Sequence, residues 1–527
     1  MVKNPIPGKM IPVLFLGMAL HFSALSQQRP APAPPAGANG AAPAAPARST
    51  GPKPYKEVIT AKAVTDEGLF KVHKVEDKYF FELADSVLGR DILVINRLSK
   101  AAAGMRNFFF GYAGDKIGDN VIRFEKGPSN KVFLRIVSFE EMAGDSTQPM
   151  FQAVVNSNIQ PIAQSFDVAS LGKDSTGLVI EVTSFLNSDN DVLNFDPSRK
   201  RAFRVGSLQS DKSYISNVKS FPLNTEIKTV KTYSRAAAGT GMPSAGMPPA
   251  PQGGTYTVEI NSSLLLLPSN PMRPRYYDER VGYFTRRYVD FSKNPQGVET
   301  VQMVNRWRLE PKDADIEKYK RGELVEPKKP IIYYIDPATP KKWVPYLIQG
   351  VNDWQAAFEK AGFKNAIIAK EAPLNDPEWS LEDARYSAIV YKPSDVPNAS
   401  GPNENDPRSG EILESHINWY HNVMELLRNW YFVQTSPSDP RARKMQFDDE
   451  LMGQLIRFVS SHEVGHTLGL RHNFGSSSTV PVEKLRDKKW LEENGHTPSI
   501  MDYARFNYVA QPEDNVGESG LFPSNGD

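Results

Sequence analysis

His462-Glu463-Val464-Gly465-His466-Thr467-Leu468-Gly469-Leu470-Arg471-His472 is the stretch on which the reading turns. Residues four apart share one face of a helix, so His462 and His466 point the same way, one turn apart. Both can then offer a ring nitrogen to one metal ion. Glu463 is rotated about 100° from His462 at 3.6 residues per turn, which sets it beside such an ion rather than on it. From there it can take a proton from water and deliver it to a leaving amine. Gly469 tolerates the left-handed geometry that ends a helix and reverses the chain. The reversal can return His472 as a third ligand. Three neutral imidazoles with an open fourth position are the donor set of a catalytic zinc site, not of a closed structural one.

The flanks extend the pattern. Asp448-Asp449-Glu450 is an acidic start for the motif helix, and Leu451, Leu455, Phe458 and Val459 give it a core-facing stripe. Upstream, Ile331–Ile335 reads as a strand. Thr339 and Pro340 open a helix carrying Trp343, Leu347, Val351, Trp354 and Phe358, and Gly362 ends it. Residues 366–369 and 387–391 read as further strands, residues 410–413 as a strand, and residues 416–432 as a helix. Of the other histidines, His73 reads as a structural group in a strand. His416 and His421, five apart, do not share a helical face and read as structural or surface groups. His496, after Glu492-Glu493-Asn494-Gly495, reads as solvated.

About 29 residues after His472 comes Ser499-Ile500-Met501-Asp502-Tyr503. With it the chain resembles the metzincin clan of zinc peptidases, whose motif is H-E-x-x-H-x-x-G-x-x-H followed by a methionine turn. The resemblance implies that Met501 forms a hydrophobic floor under the ligands. It also implies that Tyr503 ligates the metal or stabilises an oxyanion, as in the astacin and serralysin branches; Asp502 departs from both. The stretch from 343 to 514 resembles a large zinc-dependent metalloprotease family, bacterial and widespread in Bacteroidetes, with N-terminal domains of unknown function ahead of a metzincin-like catalytic domain. In that family residues 410–413 would be the edge strand of the catalytic sheet, open to an extended peptide. Metzincin domains normally carry a helix after the methionine turn. Only 26 residues follow Met501, and they show no helical pattern, so the resemblance leaves a C-terminally truncated domain open.

Working outward, residues 54–325 show short alternating strands and turn signals, and read as β-rich. Examples are residues 69–83, turning at Glu76-Asp77, and residues 121–137, turning through Gly127-Pro128-Ser129-Asn130. Residues 235–254 are a low-complexity loop. At the start, Lys3 and Lys9 precede an apolar run over 10–20 and the small residues Ala24-Leu25-Ser26, the pattern of a signal peptide cut after Ser26. Residues 27–53, rich in Pro, Ala and Gly, read as a tether.

The chain of 527 residues contains no cysteine, so thiolate sites, disulfides and a lipid-modified N-terminal cysteine are excluded. Its net charge of +1 gives no global field for nucleic acid or an anionic membrane. The expected organisation is a signal peptide (1–26), a linker (27–53), a small β-rich domain (54–100), a second β-rich domain (101–325) and a metzincin-like domain (326–527). The expected fold class is α+β, with a zincin-like catalytic domain preceded by a β-rich N-terminal region. The expected function is a secreted or periplasmic, cell-surface zinc endopeptidase acting on protein or peptide, with no membrane span. Its cofactor is one catalytic zinc ion; no motif supports calcium. The alternative is an inactive zinc-binding surface protein whose β-rich region binds glycan or protein.

Overall fold

A computed structural model describes residues 51–102, 105, 111–235, 254–376 and 379–522. The signal-peptide and tether readings over 1–50 and the low-complexity loop over 236–253 lie outside the described residues.

The β-rich reading of the first half is realised as one antiparallel sheet of 12 strands. Local turns set its hairpins. Glu76, at φ 55°, reverses the chain between Lys71–Val75 and Lys78–Leu83. Ser129 and Asn130, both at positive φ, do so between Lys116–Gly127 and Lys131–Ile136. Distant pairings close the sheet: Leu178–Glu181 inserts between Lys78–Leu83 and Ile162–Leu171, and Asp91–Lys100 pairs with both Lys116–Gly127 and Thr255–Leu266. The sheet therefore runs without a break across residue 100. A second, three-stranded sheet contains Thr285–Asp290, Glu299–Val304 and Glu141–Met142.

The C-terminal part is a mixed helix-and-strand layer structure. Its sheet runs in the order Ile367–Glu371, Ile331–Ile335, Ser387–Lys392, His416–Tyr420, Ala399–Ser400; the first four strands are parallel and the last is antiparallel. The motif helix Asp449–Thr467 begins at Asp448, whose side chain accepts the Leu451 N–H at 2.9 Å. It packs on the helix Val344–Asn352, and Ser460 Oγ donates to Leu347 O at 3.0 Å. Leu347, Val351, Leu455 and Ile456 are fully buried in this core. Each such side chain stabilises the packing by roughly 1.5–3 kcal/mol. The motif helix is thus a rigid platform.

Three expectations need correction. The helix read over 416–432 is the strand His416–Tyr420 followed by the helix Val423–Thr435. Ile417 and Trp419 alternate into a core between neighbouring strands, and the sheet overrides the helical spacing. The strand read over 410–413 is Ile412–Glu414, which pairs with Glu404–Asn405 in a separate two-stranded ladder. The short antiparallel edge of the five-stranded sheet is Ala399–Ser400. Lastly, the helix read as opening at Thr339-Pro340 and ending at Gly362 begins only at Val344 and is broken at Asp353-Trp354 into Val344–Asn352 and Gln355–Lys360.

Candidate metal centre

His462 and His466 leave the motif helix one turn apart, the first 7% exposed and the second half-buried. Gly469, at φ 98°, reverses the chain as its position in the motif predicts. The Leu470 N–H closes the turn on Gly465 O at 3.1 Å. The reversal brings His472 Nε2 to 3.2 Å from His462 Nε2 and 3.0 Å from His466 Nε2.

The other ring nitrogens determine what this cluster can do. His462 Nδ1 lies 2.7 Å from Ile500 O, and His466 Nδ1 lies 2.8 Å from Leu470 O. A carbonyl only accepts, so both Nδ1 atoms carry the proton and both Nε2 atoms present lone pairs. Burial, helped by the neighbouring His466 and His472 and opposed by the Ile500 carbonyl, pushes the His462 pKa down to about 3, so the ring stays neutral. Burial lowers His466 and His472 as well. Lone pairs held this close repel unless a cation stands between them. Nitrogens about 2.0–2.1 Å from a tetrahedral ion stand about 3.3 Å apart, which is close to the spacing found. The donor set therefore fits a divalent ion that favours imidazole.

Glu463 is 7% exposed, and its Oε2 has no hydrogen-bond partner among the described residues. Burial pushes its pKa up to about 8, against the opposing effect of the Gly401 N–H. Gly401 continues from the edge strand, so the sheet edge and the acid meet here.

Met501 is 2% exposed and lies beneath the helix. A β-carbon at Gly465 would overlap its Sδ, so the helix and the methionine turn touch through a missing methyl group. The turn also supplies Ile500 O to His462, and Met501 O accepts the Asn473 N–H at 3.2 Å. Asp502 is buried and accepts the Ser477 N–H, which ties down the loop after His472. The Tyr503 ring lies 4.3 Å from the His472 ring and 5.1 Å from that of Phe474, and is 46% exposed. Burial, then the Glu463 charge, raises its pKa, so the phenol keeps its proton at neutral pH. All six residues that the motif and its resemblance singled out are therefore gathered in one place.

The remaining described histidines lie elsewhere. His73 is buried in the N-terminal sheet beside Glu82. His416 is half-buried in its strand, and His421 is exposed beside Tyr391. His496 corrects the expectation of a solvated group: it is 4% exposed, with its nitrogens 3.1 Å from Phe522 O and Arg505 O. The reversal at Gly495 carries it inward despite its acidic neighbours. Sequence reasoning also missed residues 282–284 and Asn305, which touch the His472 turn. No local pattern announces a contact across some 185 residues.

Comparison with known families agrees with this geometry. Residues 444–527 match the family described as Met-zincin. Residues 52–101 and 114–312 match two domains of unknown function, DUF5118 and DUF5117. No curated protein and no solved structure matches this chain. With the histidine cluster inside the first of these matches, the C-terminal part is metzincin-like and of zinc-metalloprotease type.

Proposed function

We propose that this chain is an exported zinc endopeptidase. The observation that carries the reading is the convergence of three Nε2 atoms, two of them held as lone-pair donors by their tautomers, in the motif that also carries a buried glutamate whose Oε2 is unpartnered among the described residues. His462, His466 and His472 would hold the ion. Zinc bound there supplies Lewis acidity, which makes water acidic near neutral pH. A cation held beside it would keep Glu463 ionised despite the burial that raises its pKa in the metal-free chain, and the carboxylate would then remove a proton from the attacking water and deliver it to the leaving nitrogen. Tyr503, still protonated at neutral pH, donates a hydrogen bond to the oxygen that gains charge. Met501 and the carbonyls of Ile500 and Leu470 keep the imidazoles in the right tautomer and orientation. Export rests on Lys3, Lys9 and the apolar run over 10–20. Among the described residues no helix is long and apolar enough to cross a membrane.

The test is metal analysis together with digestion of a peptide library, with and without a chelator. One zinc per chain and chelator-sensitive cleavage are expected. Glu463→Gln should lower kcat by about 10³-fold with zinc retained. Tyr503→Phe should lower it by about 10²-fold, again with zinc retained. Cleavage that survives zinc removal, or full turnover in Glu463→Gln, overturns the mechanism. Zinc uptake with no cleavage of any peptide favours a non-catalytic binder instead.

A further inference from the structure

The outer side of the His472 turn is not closed by its own domain. Tyr283 bridges Leu470 in antiparallel fashion. The Arg471 N–H donates to Gly282 O at 2.9 Å, and the Phe284 N–H donates to Gly469 O at 2.8 Å. The Asn305 N–H donates to Phe284 O at 2.8 Å, and Asn305 O lies where a β-carbon of Gly469 would be. Trp307 Nε1 donates to Thr467 O at 2.9 Å, at the end of the motif helix. All of these groups belong to residues 282–307, ahead of the catalytic sheet. The turn they hold presents His472 and also carries Leu470 O, the acceptor that sets the His466 tautomer.

We propose that residues 282–284, backed by Asn305, are a permanent brace for the third metal ligand, so that the β-rich region is a working part of the metal centre and not a removable cover. This rests on the zinc reading above. A cover would place a side chain on the ion. Among the described residues the ligand group is His462, His466 and His472 alone, with no acid from the β-rich region in it. A cover would also part easily from what it hides. Here largely buried charges tie the two regions together: Arg97 reaches Glu404 at 2.9 Å and Glu414 at 3.0 Å, and Arg408 reaches Asp91 at 3.1 Å. Parting the two regions would have to break these ties together with the backbone bonds made by residues 282–284 and Asn305.

Proline at 284 removes the N–H that Gly469 O receives. Zinc affinity of the full chain is measured by competition with a chromophoric chelator, alongside the visible spectrum of the cobalt-loaded protein. Phe284→Pro should bind zinc about 10–100-fold more weakly, the usual loss for a supporting partner, with an altered cobalt spectrum. Phe284→Leu keeps the N–H and loses only the contact of the Phe284 ring with the His466 ring, so it should bind zinc clearly more tightly than Phe284→Pro. Tyr288→Ala loosens the same small sheet away from the turn and should leave the cobalt spectrum unchanged. Equal zinc affinity in Phe284→Pro and Phe284→Leu overturns the brace. So does an equal loss in Tyr288→Ala at matched thermal stability. If Phe284→Pro does not fold, hydrogen exchange in the unsubstituted chain decides. The Phe284 and Arg471 amides should both exchange faster once zinc is removed, and a Phe284 amide indifferent to zinc overturns the proposal. A chain that takes up no zinc at all overturns the zinc reading and the brace with it.

Discussion

His73 in the N-terminal sheet and His462 in the motif helix are both hidden from water, at 2% and 7% exposure. They differ in what meets the second ring nitrogen. His73 has Thr65 Oγ1 at 2.8 Å from Nδ1 and Glu82 Oε2 at 3.1 Å from Nε2. Burial pushes Glu82 up, but hydrogen bonds from His73, Tyr55 and Lys71 outweigh it and hold the carboxyl below its ordinary range. That set is complete: a neutral imidazole donates to a carboxylate and accepts from a hydroxyl. His462 donates once, to Ile500 O, and turns its other nitrogen toward two more of its kind. Burial alone therefore does not mark a metal site. Lone pairs left over in one place do. His416 makes the same point, since its Nε2 is buried and bare yet joins no group of three ligand atoms among the described residues.

The contrast can be broken by removing one ring from each setting. His472→Ala should weaken zinc binding by well over the roughly 10²-fold caused by losing a mere supporting partner. Calorimetric titration of the zinc-free protein would measure this, and unchanged affinity would remove His472 from the ligand set.

A third buried histidine sharpens the comparison through pH. Burial pushes the His496 pKa down to about 4, against two facing carbonyls. The unfolded chain takes up this proton near the ordinary value of 6.5. Between those values the unfolded state binds more protons, so stability falls as the pH falls. The contribution is complete above pH 6.5 and lost by about pH 4, and is worth about 3 kcal/mol. His496→Gln should remove that step, so its stability gap to the unsubstituted chain narrows on acidification. Parallel curves from chemical denaturation across this range would refute the assignment.

His73→Ala should have the smallest effect. It removes one of three partners of Glu82, leaving Tyr55 and Lys71, and should reduce stability by about 2 kcal/mol. Zinc content and turnover should not change, and a drop in zinc stoichiometry would erase the distinction between the two settings.

What was legible in the sequence follows the range of the forces involved. The motif helix, its Asp448 cap, the reversal at Gly469 and the methionine turn are short-range features, and the structure has them where the spacing puts them. The Glu76 and Ser129-Asn130 hairpins are equally local. The strand His416–Tyr420 was misread because its neighbours, Ser387–Lys392 and Ala399–Ser400, lie well away in sequence and decide its conformation. His496 was misread because polar neighbours say little about where a chain goes after a glycine turn. Val516, Leu521 and Phe522 are buried in the core of the C-terminal part although the tail around them is polar and glycine-rich.

The contact between Gly465 and Met501 changes how the two spacer positions in His462-Glu463-Val464-Gly465-His466 should be regarded. Neither is a free letter. Val464 is fully buried in the core, and Gly465 leaves the gap that the Met501 thioether fills. The two residues form one steric unit, written 36 positions apart. Each constrains the size its counterpart can take, so a larger residue at 465 becomes tolerable only when 501 shrinks with it and the Trp354 ring, which borders the same gap, also gives way.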